Sequence, residues 1–186
     1  MSDDRTDEQR EVSSMRATAH PVRLQILSLL TGAELSAAEI ARELDLTHAN
    51  ASYHLRTLAD AGLVVEAGEE KIRGGVAKRY RHPWDQADMA GKRPSPEDVA
   101  QQVQAMASEL VRRFRSREPK GPSWLTDAEM WVAPEVWEEV LSLVHTASRL
   151  VHAEAKPPRT PGTVHVNLTA AAFEMADPDR PSKEKP

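Results

Sequence analysis

The sequence predicts an α+β fold, mainly α with a small β part, and three observations carry it. Between residues 20 and 61 three short helix patterns follow one another, the last two separated by a tight turn. Two β-type runs then flank Gly74-Gly75. Beyond residue 96 a long helix pattern is followed by alternation, helix and alternation again, a β-α-β-like segment.

Each element has its own local justification. In Glu8–Ala19 the residues Val12, Met15 and Ala19 share one helical face, the pattern of a short partner-facing helix. Pro21 suits the first turn of the next helix, where its missing N–H and fixed φ cost nothing. Val22, Ile26, Leu29 and Leu30 then repeat at helical spacing, widened by Leu24 and Leu27, as in a central core helix. Ser36 opens S-A-A-E, a capping box with Glu39, and Ala37, Ile40, Ala41 and Leu44 form the apolar side of that helix. Asp45 occupies the turn, where it tolerates left-handed geometry better than most residues. Thr47 can cap a helix running to about Ala61 and stopping at Gly62, with Ala51, Leu55 and Leu58 inward. Leu63, Val64 and Val65 start a strand, and Val76–Arg81 returns after a turn at Gly74-Gly75, or nearer Gly68–Glu70. Val76 and Tyr80 are expected inward or at the edge. Two helices joined by a turn and followed by a hairpin make a winged helix-turn-helix, placed over residues 9–83.

The rest divides at its prolines and glycines. Residues 1–8 and 176–186 are polar and read as disordered tails, and 84–96 as a linker. A connector helix is expected over 97–118, where Val99, Val103, Met106, Leu110 and Phe114 recur at spacings of three and four. With Val12 and Met15 these residues are the candidate dimerisation face. The segment 124–175 is expected to pair strands Ala128–Val132 and Val164–Thr169 around a helix opened by Pro134, with Trp137, Val140, Val144, Ala147 and Val151 inward. The tryptophans Trp84, Trp124, Trp131 and Trp137 lie outside the helix-turn-helix, and three of them could line a pocket for a small-molecule effector or fill a small core.

Composition limits the chemistry. There is no cysteine, so disulfides, zinc–thiolate sites and cysteine nucleophiles are excluded. The acidic N-terminus is no secretory signal and no apolar run reaches the ~18 residues of a membrane span, so a cytoplasmic protein without membrane contact is expected. The formal net charge of −5 weighs against a nucleic-acid ligand. Yet Lys71, Arg73, Lys78, Arg79 and Arg81 fall in a stretch with no acid, and screening over ~8–10 Å makes a local patch count for more than the distant total. No nucleophile elbow or phosphate loop surrounds the serines and histidines, and His145 and His152 are ~10.5 Å apart along a helix, too far for one ion. No enzyme, metal or cofactor is expected.

If Ala51, Leu55 and Leu58 are buried, geometry turns His48, Ser52, Tyr53 and Arg56 outward, with Asn50 at the edge and Thr47 at the helix start. Arg can pair with guanine and Asn with adenine in a major groove, while Ser, Tyr and a helix N-terminus suit phosphates. The five hairpin cations would grip the flanking backbone. About five neutralised phosphates per half-site would give a log–log salt slope near −4 to −5. The candidate DNA contacts are therefore Thr47, His48, Asn50, Ser52, Tyr53, Arg56, Lys71, Arg73, Lys78, Arg79 and Arg81.

With HPVRLQILSLL, LTHANASYHLRTLADAGLV and GGVAKRYRH in view, roughly residues 10–83 resemble the ArsR/SmtB-type winged helix-turn-helix repressors, in a larger form with a C-terminal extension. The resemblance implies a homodimer on double-stranded DNA with a palindromic operator, repression released by a signal, and a groove lined by His48, Asn50, Ser52, Tyr53 and Arg56. His54 stands at the family's S-x-H-L position, where a structural or phosphate contact is expected. The metal-sensing cysteines of many members are absent from SAAEIAREL, so metal sensing is not carried over. The function expected is a dimeric DNA-binding repressor; the alternative is a winged-helix protein-interaction module that does not bind DNA.

Overall fold

A computed structural model describes residues 16–72, 75–85 and 96–176. Its elements are α1 (Pro21–Gly32), β1 (Leu35–Ser36), α2 (Ala37–Glu43), α3 (His48–Asp60), β2 (Val65–Ile72), β3 (Gly75–Arg81), α4 (Pro96–Arg115) and α5 (Pro134–Ala153). The architecture is α+β, with a small antiparallel sheet of order β1-β3-β2 beside the helix-turn-helix.

Local signals set the helix ends. Pro21 lies in the first turn of α1, and His20 caps it by accepting from the Val22 N–H at 3.2 Å. The capping box forms in full: Ser36 Oγ accepts from the Glu39 N–H at 3.4 Å while the Glu39 carboxylate accepts from the Ser36 N–H at 2.8 Å. Asp45 turns the chain at φ 53°, in the left-handed region, as its residue type allows. Thr47 accepts from the Asn50 N–H at 3.2 Å at the start of α3. Gly62 ends α3 at φ 72°, with the Leu63 N–H closing onto the Leu58 carbonyl at 2.9 Å, the six-to-one bond of a Schellman ending.

The core sits where α1, α2 and α3 meet. Ile26, Leu30, Ile40, Ala51, Leu55 and Leu58 are sealed from water, and Val64 and Tyr80 bring the base of the hairpin against them. His82 ties the hairpin's end to this core: its N–H donates to the Leu30 carbonyl at 3.1 Å and its Nδ1 lies 2.7 Å from the Leu63 carbonyl. Val76 is exposed rather than inward, because it lies next to the hairpin tip, beyond the helices' reach.

α4 packs against α1 through a face the sequence pattern did not single out. Its buried residues are Asp98, Ala105 and Glu109. Glu109 accepts from Gln25 Nε2 at 2.8 Å and from Arg112 Nη2 at 2.9 Å, with Arg113 Nε at 3.3 Å. Burial alone would push the Glu109 carboxyl up; hydrogen bonds from Arg112 and Gln25 and the two guanidinium charges outweigh it and hold the group below the ordinary carboxylate range. Of the expected dimer face, Val99, Val103 and Phe114 are exposed and Met106 and Leu110 half-buried. Val12 and Met15 lie outside the described residues, as do most of the expected linker and tails.

The β-α-β expectation for 124–175 needs correction. The helix is present, opening at Pro134, but Ala128–Val132 and Val164–Thr169 run with no ladder partner. Alternation prepares one side of a strand for burial; the ladder needs a neighbour, and these two stretches find none among the described residues. Nor are Val140, Ala147 and Val151 buried: no residue of α5 is, and only Trp137, Val144, Ser148 and His152 are half-covered. Trp124 and Trp131 are 85% and 89% exposed, while the Trp84 ring lies tilted against that of His152, centroids 5.4 Å apart. The chain after α5 returns to the first domain. Its Lys156 backbone lies where a Cβ at Gly32 would meet it at 2.7 Å, and Arg159 binds Glu43 at 2.7 Å.

Candidate nucleic-acid interface

α3 divides as its pattern predicts. Ala51, Leu55 and Leu58 are 0–1% exposed, which fixes the helix's rotation about its axis. Thr47, His48, Asn50, Tyr53 and Arg56 are therefore exposed together, and Ser52 half-exposed. Tyr53 is 55% exposed. The return of the C-terminal chain reaches Glu43 on α2 and leaves these residues uncovered.

His54 belongs to the inner side. It is buried, its ring centroid 4.9 Å from that of His20 and 5.3 Å from that of Tyr53, and its Nδ1 has no hydrogen-bond partner. Burial, then the charges of His20 and Arg23, lowers its pKa; burial and Arg23 lower that of His20. Both rings are thus disfavoured in the charged form, and His54 lies on the inner side of the helix. Arg23 is itself tied down, its guanidinium donating to the carbonyls of Ala17 and Arg16.

In the hairpin Ile72 pairs with Gly75 and Lys71 with Val76, which fixes the register. Arg73 lies outside the described residues. A bulge between Glu66 and Gly68 puts Glu66 opposite Tyr80, Glu69 opposite Lys78 and Glu70 opposite Ala77. Here the strand pairing supplies what a linear reading of 71–82 missed. Lys78 Nζ lies 2.6 Å from Glu66, and that hydrogen bond, then the carboxylate's charge, raises the lysine pKa. Arg79 lies 2.6 Å from Glu70 and 3.3 Å from Glu39, and also donates to the Glu34 carbonyl, joining hairpin, α2 and the α1–β1 connection. Lys71 and Arg81 have no carboxylate partner among the described residues, nor has Arg56 on α3. The signal for the acids was present: once the register is fixed, cross-strand neighbours can be counted off.

The site thus holds an exposed polar helix face, whose N-terminal N–H groups suit an anion, beside a two-stranded ribbon with two unpaired and two acid-paired cations. Among the described residues no group of acids and histidines is placed to hold a metal, and no helix is long and apolar enough to cross a membrane. Comparison with known proteins agrees over part of this region. No curated protein matches the chain. Residues 18–67, from the end of the first helical turn through α1, β1, α2 and α3 into β2, match the family model of a helix-turn-helix domain. The match supports a helix-turn-helix DNA-binding domain in this part of the chain, which points to transcription regulation.

Proposed function

We propose that the protein is a cytoplasmic, dimeric winged helix-turn-helix regulator of the ArsR/SmtB kind that represses transcription from a palindromic operator. One observation carries the reading: α3 buries Ala51, Leu55 and Leu58 and leaves Thr47, His48, Asn50, Tyr53 and Arg56 exposed and uncovered among the described residues. In a groove, Arg56 and Asn50 would read bases, while Thr47, His48, Ser52 and Tyr53 position the helix on phosphates. Lys71, Arg73 and Arg81 would hold the flanking backbone, and Lys78 and Arg79 would join them on exchanging a carboxylate for a phosphate. Two protomers would place their α3 helices about 34 Å apart in successive major grooves. The exposed Val99, Val103 and Phe114 of α4, with Met106 and Leu110, would contribute to the dimer, along with Val12 and Met15. A small-molecule effector in the C-terminal segment would act only by favouring one dimer geometry over another.

The acid-paired cations favour a second reading, in which the winged helix contacts a protein and not DNA. Selection of bound sequences from a random duplex pool separates the two. The proposal expects a two-fold related motif, and Arg56→Ala should relax its preference at one position per half-site and weaken binding 10-fold or more, in line with ~1–3 kcal/mol for a good base contact. No enrichment, or equal binding by Arg56→Ala, would favour the protein-interaction reading.

A further inference from the structure

The geometry points to a second copy of this chain as the partner of α5: two α5 helices pair antiparallel about a two-fold axis near Leu143. A 20-residue helix with no buried residue does not hold itself in water, where isolated helices are marginal. Among the described residues, its own chain half-covers Trp137, Val144, Ser148 and His152 only. A different line is left open. Val136, Val140, Leu143, Ala147 and Leu150 follow at spacings of 4, 3, 4 and 3, the seam of a helix that packs against another helix. All five are exposed, Leu143 and Leu150 at 63% each.

Three observations select an identical helix as occupant. The seam is nearly symmetric about Leu143, so an antiparallel copy sets Val136 beside Leu150, as a self-complementary two-fold contact requires. Charge is arranged to match. Glu135, Glu138 and Glu139 occupy the first half of α5 and Arg149 the second, so the antiparallel copy brings each arginine toward the other's acids. Apolar surface is left open as well: sixteen large apolar residues between Trp124 and Met175 stand exposed, more than the scattered single side chains of an ordinary monomer surface. The dimer of the proposed regulator thereby acquires a named surface, and because that surface holds none of the residues offered to DNA, the two can fail separately.

The test uses the full chain without DNA. Sedimentation equilibrium should give twice 20.6 kDa at micromolar concentration, and Leu143→Asp should weaken association at least 10-fold. That leucine is exposed in the protomer, so the helix-turn-helix core should keep its unfolding transition. The chain has no cysteine, so single introduced cysteines report contacts without background. Leu143→Cys should oxidise to a disulfide dimer. Val136→Cys alone should not, since an antiparallel pair separates the two copies by ~21 Å, and mixing it with Leu150→Cys chains should give the cross-linked heterodimer. A monomer at tens of micromolar, a dimer indifferent to Leu143→Asp but lost in Val103→Asp, or efficient self-linking by Val136→Cys would each overturn the assignment.

Discussion

The salt dependence of DNA binding should record how many cations are free, and two glutamates should set that number. Of the five hairpin cations, Lys78 and Arg79 are held at 2.6 Å by Glu66 and Glu70 in the protein without DNA, which leaves Lys71, Arg73 and Arg81 as the three offered to phosphates. If the held pair stays held, about three phosphates are neutralised per half-site, and the log–log slope should be near −2.7 rather than −4 to −5. Glu66→Gln with Glu70→Gln removes both carboxylates with little change of shape. Arg79 keeps Glu39 at 3.3 Å, so one to two further cations are released. The slope should steepen by about 0.9 to 1.8 per half-site. Between 50 and 200 mM salt each added phosphate is then worth about 3.5-fold in affinity. Fluorescence anisotropy on a labelled duplex from the random pool, titrated at four or five salt concentrations, measures both slopes. A double variant that keeps a shallow wild-type slope near −2.7 would show that Lys78 and Arg79 do not face phosphates. A wild-type slope near −5 would show that the ion pairs open on binding.

Four further outcomes follow from single contacts. Leu58→Ala empties a site that is 0% exposed and should lower unfolding free energy by about 2–5 kcal/mol in a urea titration. Ser36→Ala removes the hydroxyl half of the capping box and should cost about 1 kcal/mol, read the same way. The fold holds the pKa values of His20, His54 and His82 below their ordinary value, so the unfolded chain takes up protons first as pH falls. Stability should therefore be full above about pH 6.5 and decline below it until the folded pKa values are passed, and His54→Leu should flatten that decline in the urea midpoint. Glu109 has a linkage of the same sign in a more acid window: its folded pKa is lowered, so its contribution is present above the unfolded carboxylate pKa and lost as pH falls through the lowered one. Glu109→Gln should shrink the loss of stability below about pH 4.5.

What the sequence made legible was the part governed by neighbours a few residues apart. The Ser36–Glu39 box, Thr47 as cap, Asp45 at positive φ and Gly62 as terminator all depend on contacts within one turn, and all appear where the local pattern placed them. The α3 rotation was readable because Ala51, Leu55 and Leu58 are the only apolar line strong enough to choose a side. Cross-strand and long-range pairings were less visible. The acid partners of Lys78 and Arg79 depend on a register and a bulge that two possible turns left open. The α1–α4 contact through Gln25 and Glu109 lies 84 positions apart in sequence and uses a polar face, which apolar periodicity cannot find. The arms around α5 alternate like strands, but alternation says nothing about whether a ladder partner lies in the same protomer.

The end of α1 joins the two halves of the molecule in a way that size alone controls. At Gly32 a methyl group would press on main-chain atoms of Lys156, which have no rotamer along which to retreat. Any larger side chain there acts as a wedge and pushes the returning chain off α1, straining the Arg159–Glu43 clasp on the helix just ahead of α3. A single hydrogen atom at position 32 thus serves as the spacer that lets the distal half rest against the reading head.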